Sequence, residues 1–448
     1  MMRLPGVLLL SLLLAGLTPR ESLAQTSNAP AADQPSAPVV AATLEQRAQD
    51  TKALFCDKPS GFEDLFGAGF LKAVPPEQMS AIFQQIYQQA GACTRVTLVN
   101  KTGANTGEFE LEFEKGFTAR SELAIDPQYP NRITGFLIRP LTPTLKSFDA
   151  VVGELKKLPG KASLAVAKLT KDGPELISSY QPDDPLALGS AFKLYVLAEL
   201  VREIEAGTRK WDDVVHLDES SLSLPSGQLQ SWPVGSPLTL HTLAALMISQ
   251  SDNTATDEMI HTLGREKVES ALEATGMANP QLDIPFLTTL ELFRLKGSPF
   301  GKDYASHVSV EGRRTFLTDV ASALPKNQIS LPDHPVQIDT IEWFASANDL
   351  TRVMAWLAQE TAKPAAQPAK EILKINPGLP LDPTAWPYVG YKGGSETGVL
   401  NLTFWLTNAK GDNFAVALTW NNPDAAVDEK VLLGIAQRTI DLLATPSP

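Results

Sequence analysis

Gly189-Ser190-Ala191-Phe192-Lys193 opens a run that continues Leu194-Tyr195-Val196-Leu197-Ala198-Glu199-Leu200-Val201-Arg202-Glu203-Ile204-Glu205-Ala206 and stops at Gly207. The spacing predicts a helix over 194–206 with Gly207 as its C-terminal stop. Apolar residues occupy nearly the whole circumference, so the helix belongs inside a core. Ser190 and Lys193, at i and i+3, share a face, which sets a hydroxyl beside an amine. A neutral amine can take the hydroxyl proton, and burial is what lowers a lysine pKa enough to make it neutral. The other reading of these residues is a Ser N-cap followed by a solvated Lys. This is the only Ser-x-x-Lys in the chain, and a Lys on a buried helix needs a partner or a shifted pKa.

Two further elements carry polar groups suited to the same chemistry. Ser251-Asp252-Asn253 interrupts helical stretches over 240–250 and 254–263. It reads either as a polar helix connection or as a proton relay, Ser251, beside a substrate donor, Asn253. Lys392-Gly393-Gly394-Ser395 precedes the strand pattern 399–406, and it reads either as a Gly-rich turn or as part of a site. In the second reading the glycines let substrate lie against a strand edge, Lys392 offers a cation, and the Ser395 amide joins that of Ser190 in an oxyanion hole. Lys101-Thr102-Gly103 lies in the turn-rich run 100–107 and is assigned to a hairpin loop.

The chain has 448 residues, enough for two or three domains. Arg3, the apolar run 4–17 and Ser22-Leu23-Ala24 predict a secretory signal over 1–24 and an exported, periplasmic or secreted, product. The run is shorter than the roughly 20 residues of a spanning helix, so no membrane anchor is expected after cleavage. Residues 25–43 form a flexible linker. Residues 44–143 run helix first and strand later, with strands expected over 95–100, 108–114 and 132–139, an α+β layer. Pro140-Leu141-Thr142-Pro143 is a stiff break. From 144 to 448, strands 162–169 and 175–180 and the closing strands 398–407 and 414–420 bracket a helical block, and a helix over 427–443 ends the domain. That order implies an α/β (α+β) fold with one sheet from both ends of the domain, an all-helical lobe, and a cleft where they meet.

Composition narrows the function. The formal charge of −13 makes nucleic acid an unfavourable partner and suits a small-molecule substrate. The five histidines show no His-x-His or His-Glu-x-x-His spacing, so no metal or other cofactor is expected. Cys56 and Cys93, an even pair in an exported chain, suggest a disulfide, with two free thiols as the alternative.

Ser190-x-x-Lys193, Ser251-Asp252-Asn253 and Lys392-Gly393-Gly394 stand in the order of the three motifs of the penicillin-recognising serine hydrolases. The segment 148–443 most resembles class A β-lactamases through Ser251-Asp252-Asn253-Thr254-Ala255, Leu263-Gly264-Arg265 and Thr275-Gly276-Met277. The resemblance implies a three-layer α/β/α domain with a mixed or antiparallel sheet. It also implies acylation of Ser190 by a β-lactam or ester, with Lys193 as general base, Ser251 and Asn253 as proton shuttle and substrate contact, and Lys392 as anion site. Three departures stand out. The class A loop Glu has no matching pattern, and Glu291 is the nearest acid, a candidate deacylating base. Gly393 replaces the usual Thr, and the second-to-third motif gap is long, with an insertion expected over 297–335. Residues 44–143 resemble the nuclear-transport-factor-like cone fold in helix-then-sheet order and in Phe70-Leu71-Lys72-Ala73-Val74-Pro75. The pairing resembles the two-domain hydrolase of clavulanic acid gene clusters and implies a packing or recognition role for the first domain.

Overall fold

The computed structural model describes residues 42–144, 146–331 and 333–444. The expected signal segment lies outside them, as does all of the linker but its last two residues. The chain divides into two compact units, Met1–Thr144 and Leu145–Pro448.

In the first unit, helix α1 (Pro76–Ala90) starts on Pro75-Pro76, where a missing N–H costs nothing, and ends at Gly91, whose φ is +82°. It buries Met79, Phe83 and Ala90 toward an antiparallel sheet. The strands are β1 (Cys93–Gly103), β2 (Thr106–Phe113), β3 (Phe117–Ile125) and β4 (Ile133–Ile138), paired in that order, with β5 (Thr142–Pro143) on the far end of β3. Phe55 packs edge-on against Phe83 at 5.0 Å and against Phe113 at 5.1 Å. Strand β3 was not expected from the sequence. Its buried positions Ala119, Ser121, Leu123 and Ile125 do alternate, but Ala and Ser give almost no hydrophobic contrast.

The cysteines are free, which corrects the expected disulfide. Cys93 is buried at the start of β1 and points its thiol at the Arg95 carbonyl, 3.4 Å away, within the core around Phe113.

In the second unit the sheet runs β8 (Tyr388–Glu396), β9 (Val399–Thr407), β10 (Asn413–Asn421), β6 (Lys161–Thr170) and β7 (Gly173–Tyr180), antiparallel throughout. Both ends of the domain supply it, as the strand order implied. Its two faces differ in size. Ala165, Ala167, Ala415 and Ala417 face one way, toward a core that includes helices α3 (Lys193–Glu205), α4 (Leu240–Ser249), α5 (Asn253–Leu263) and α7 (Ala347–Glu360). Leu164, Val166, Val416 and Leu418 face the other way and pack with α2 (Phe148–Leu155) and α8 (Glu429–Ala444). Small side chains let α7 sit close to the sheet, and large ones fill the wider space opposite. Helix α6 (Thr289–Lys296) and the expected insertion, which folds as short helices Phe300–Ser306 and Val310–Asp319, complete the helical lobe.

Burial pushes the Cys93 thiol up to about 11. At pH 8 only about one molecule in a thousand therefore carries the thiolate. Ellman titration should find two thiols per denatured chain and only the Cys56 thiol reacting promptly in the native protein; zero thiols after denaturation without reductant would restore the disulfide.

Candidate active site

A 3₁₀ turn, Gly189–Phe192, delivers Ser190 to the N-terminus of α3, half-buried at the rim of a cleft of about 440 Å³. Gly189 lies at φ +50°, and a Cβ there would meet the Ser395 amide at 2.8 Å. A Cβ on Gly394 would fall 2.5 Å from the Ser190 amide and 2.0 Å from the Leu188 carbonyl. Two glycines thus let the edge strand β8 press against the turn that carries Ser190, which sets the Ser190 and Ser395 backbones side by side. The Lys-Gly-Gly-Ser segment is a strand of its own, not a turn leading into the next one. Gly393 also has a local reason, since a Cβ there would fall 2.0 Å from the Tyr391 hydroxyl.

At the first position of α3, Lys193 has no solvent exposure. Its Nζ donates to the Ser251 carbonyl at 2.7 Å and to Asn253 Oδ1 at 2.7 Å, with Ser251 Oγ farther off at 3.2 Å. Burial, reinforced by the nearby Lys392 charge, holds its pKa well below the ordinary lysine value, against the opposing pull of Asp257 and Asp252. In its neutral form the amine would use both N–H groups in these two short bonds and keep its lone pair free.

Ser251 itself sits at φ +55°, a left-handed conformation that a non-glycine residue adopts only when its surroundings enforce it. The enforcement comes from both sides. Asp252 caps α5 through the Ala255 amide and also accepts the Gln228 and Leu229 amides at 2.6 and 2.9 Å. Ser226 Oγ donates to the Ser251 carbonyl at 2.6 Å, and Asn253 Nδ2 donates to the Leu224 carbonyl at 3.1 Å. Lys392 Nζ reaches Ser251 Oγ at 3.1 Å, so that hydroxyl bridges the two lysines. Burial lowers Lys392 to about 7. Ser190, Ser251, Asn253, Lys392, Gly394 and Ser395 all line the one cleft, with Lys193 behind them. A half-buried hydroxyl, a buried amine, a bridging hydroxyl and neighbouring backbone amides are groups of the kind that acyl transfer uses.

The profile of the Beta-lactamase enzyme family matches residues 145–442, about two thirds of the chain. The chain belongs to that family. It is a serine hydrolase of the β-lactamase and penicillin-binding-protein superfamily. Among solved structures it is similar to a β-lactamase from Sphaerobacter thermophilus, with 21% identity over 67% of this chain and 98% of that one at a TM-score of 0.47. A β-lactamase from Chitinophaga pinensis matches with 18% identity over 66% and 98% at 0.46, and a PBP-A mutant, solved as its acyl-enzyme complex with penicillin G, with 16% over 66% and 95% at 0.45. No curated protein sequence matches.

Glu291 does not join the site. Both its oxygens accept from Arg265, at 2.7 and 2.9 Å, and it closes the capping box of α6 through the Thr288 amide. The deacylating role expected for it is therefore withdrawn: its charge is committed to a guanidinium and a helix N-terminus, and it is Thr289, Leu292 and Phe293 of α6 that line the cleft. Three acids were missed. Asp257, pushed up to about 7 by burial, accepts the Thr289 and Leu290 amides and ties α6 to α5. Glu342 and Glu396 line the cleft. Glu396 directly follows Ser395 and could have been found there, whereas no local pattern marks Glu342.

Glu291→Gln should leave turnover unchanged and lower stability by about 1–3 kcal/mol, read as a melting temperature several degrees lower, because Arg265 loses its charged partner. Slowed deacylation with an intact melting temperature would reinstate Glu291 in catalysis.

Proposed function

We propose that this protein is an exported, class A-like hydrolase that opens a β-lactam or a related ester through an acyl-enzyme on Ser190. The observation that carries the proposal is the fully buried Lys193 amine, held by Ser251 and Asn253 one helical turn from the Ser190 hydroxyl. Neutral Lys193 Nζ takes the Ser190 Oγ proton as Oγ attacks the substrate carbonyl, and the Ser190 and Ser395 amides receive the oxyanion. Collapse breaks the acyl C–N or C–O bond. Ser251 Oγ, between Lys193 and Lys392, relays the proton to the leaving atom, while Lys392 and Asn253 hold the substrate's anionic and polar groups. Water then attacks the ester carbonyl, releasing the acid and returning the proton to Ser190.

Two relatives of this reading use the same residues: a D-Ala-D-Ala peptidase or esterase, and a β-lactam or cell-wall-fragment sensor that acylates without turning over. The commitment of Glu291 to Arg265 favours a long-lived adduct and hence the sensor. The first unit fits an accessory recognition module of the cone-like kind, as in the paired hydrolase of clavulanic acid clusters.

Intact-mass spectrometry with a fluorescent penicillin and with nitrocefin should show an adduct on Ser190 that Ser190→Ala abolishes. A transient adduct with product marks a β-lactamase, and a persistent one marks the sensor. Hydrolysis by Ser190→Ala at the parent rate would sink the nucleophile assignment. The two lysines also set a pH profile. Lys392 is cationic only below about 7, so kcat/KM for a carboxylate-bearing substrate should fall as pH rises through that value, whereas a neutral aryl ester should show no such fall. A profile for the anionic substrate that stays flat from pH 6 to 9 would remove Lys392 as the anion site.

A further inference from the structure

Strand β8 carries a second charged group at the cleft that the acylation chemistry does not use. Alternate residues of a strand face the same way, so Lys392, Gly394 and Glu396 share a face. The contacts bear this out: Lys392 reaches Ser251, Gly394 abuts the Ser190 amide, and Glu396 reaches Lys296 of α6. At about 3.3 Å per residue, Lys392 and Glu396 flank the nucleophile contact by about 7 Å on either side. The cleft therefore presents a cation at one end and an acid at the other, with Ser190 between them.

Glu396 is more than a structural ion-pair partner. The Lys296 ammonium serves two carboxylates, Glu396 and, at 3.0 Å, Glu342. Glu342 and Lys296 are sealed in, with side chains 1% and 4% exposed, while the Glu396 side chain is 24% exposed. Glu342 is fixed by its neighbour Trp343, which stacks on Phe192 at 3.6 Å and accepts the Leu188 amide through its carbonyl. One ammonium against two carboxylates leaves one negative charge unmatched, and only Glu396 can offer it to the cleft. Burial, together with the Glu342 charge, pushes the Glu396 carboxyl well above the usual carboxylate range, so the empty site holds a proton that an incoming cation can replace.

We infer that Glu396, backed by Lys296 and Glu342, forms a subsite for a cationic group, so that the preferred substrates are zwitterionic acyl compounds with an anion toward Lys392 and an ammonium toward Glu396. This substrate class rests on the acyl-transfer reading of the same cleft, but its test does not need acylation.

The test measures equilibrium binding to the non-reacting Ser190→Ala protein by calorimetry, with ampicillin and benzylpenicillin as probes. The two share the ring carboxylate and differ by the side-chain ammonium of ampicillin. Ampicillin should bind about tenfold tighter, and Glu396→Gln in the Ser190→Ala background should bring the affinity ratio toward one, with Glu396→Asp retaining part of it. Melting curves verify that each variant is folded, and the ratio in Ser190→Ala alone decides the matter if Glu396→Gln does not fold. Equal affinities, or no binding of either probe, would overturn the cationic subsite. A preserved preference without any Ser190 adduct in the parent protein would instead remove the acyl-transfer reading and leave the subsite standing.

Discussion

A primary amine with no access to water must have every hydrogen bond supplied by the protein, and around Lys193 that requirement organises the catalytic half of the molecule. Its two close acceptors both come from the Ser251–Asn253 connection, so the loop between α4 and α5 has to reach the first residue of α3, directly after the turn that carries Ser190. Ser251 reaches it in a left-handed conformation, which the three amides on Asp252 and the Ser226 hydroxyl on its carbonyl keep in place. The strain and the desolvation are compensated by this network, and the desolvation holds the Lys193 amine well below the ordinary lysine value.

Shape supplies the second constraint. Alanines on the central strands β6 and β10 face α7, and leucines and valines face α2 and α8, so α7 approaches the sheet closely on the side where α3 also packs. At the edge, Gly189 and Gly394 allow contact between the turn that carries Ser190 and β8 that any side chain would prevent. That contact, rather than a hydrogen bond between side chains, is what places the Ser395 amide beside that of Ser190. It also fixes the register by which Lys392 and Glu396 fall on opposite sides of the contact with Ser190.

Much of this was legible in the sequence, for reasons that are local. The α3 pattern, the two helices flanking Ser251, and four of the five strands of the second unit follow from periodicity, and their bounds moved by only one or two residues in the structure, whereas the edge strand β8 was not expected because its glycines hide the alternation. The failures have local reasons too. Strand β3 hid behind Ala119 and Ser121, whose small side chains give no contrast. Glu291 looked like a free acid early in a helix because Arg265, its partner, lies a helix and a loop away. The cysteines looked like a pair by count alone, while the Cys93 thiol is directed into a core and onto the Arg95 carbonyl.

By itself the sequence determined the helical and extended periods, the Ser-x-x-Lys spacing that fixes two side chains on one helix face, and the glycines that permit close backbone approach. Each depends on residues a few positions apart. Only the tertiary structure decided which charges are matched: that Lys193 is enclosed by Ser251 and Asn253, that Glu291 belongs to Arg265, and that Lys296 is shared between Glu342 and Glu396. Such pairings join residues 26 to 100 positions apart, and their energies depend on burial and distance, which no local pattern encodes.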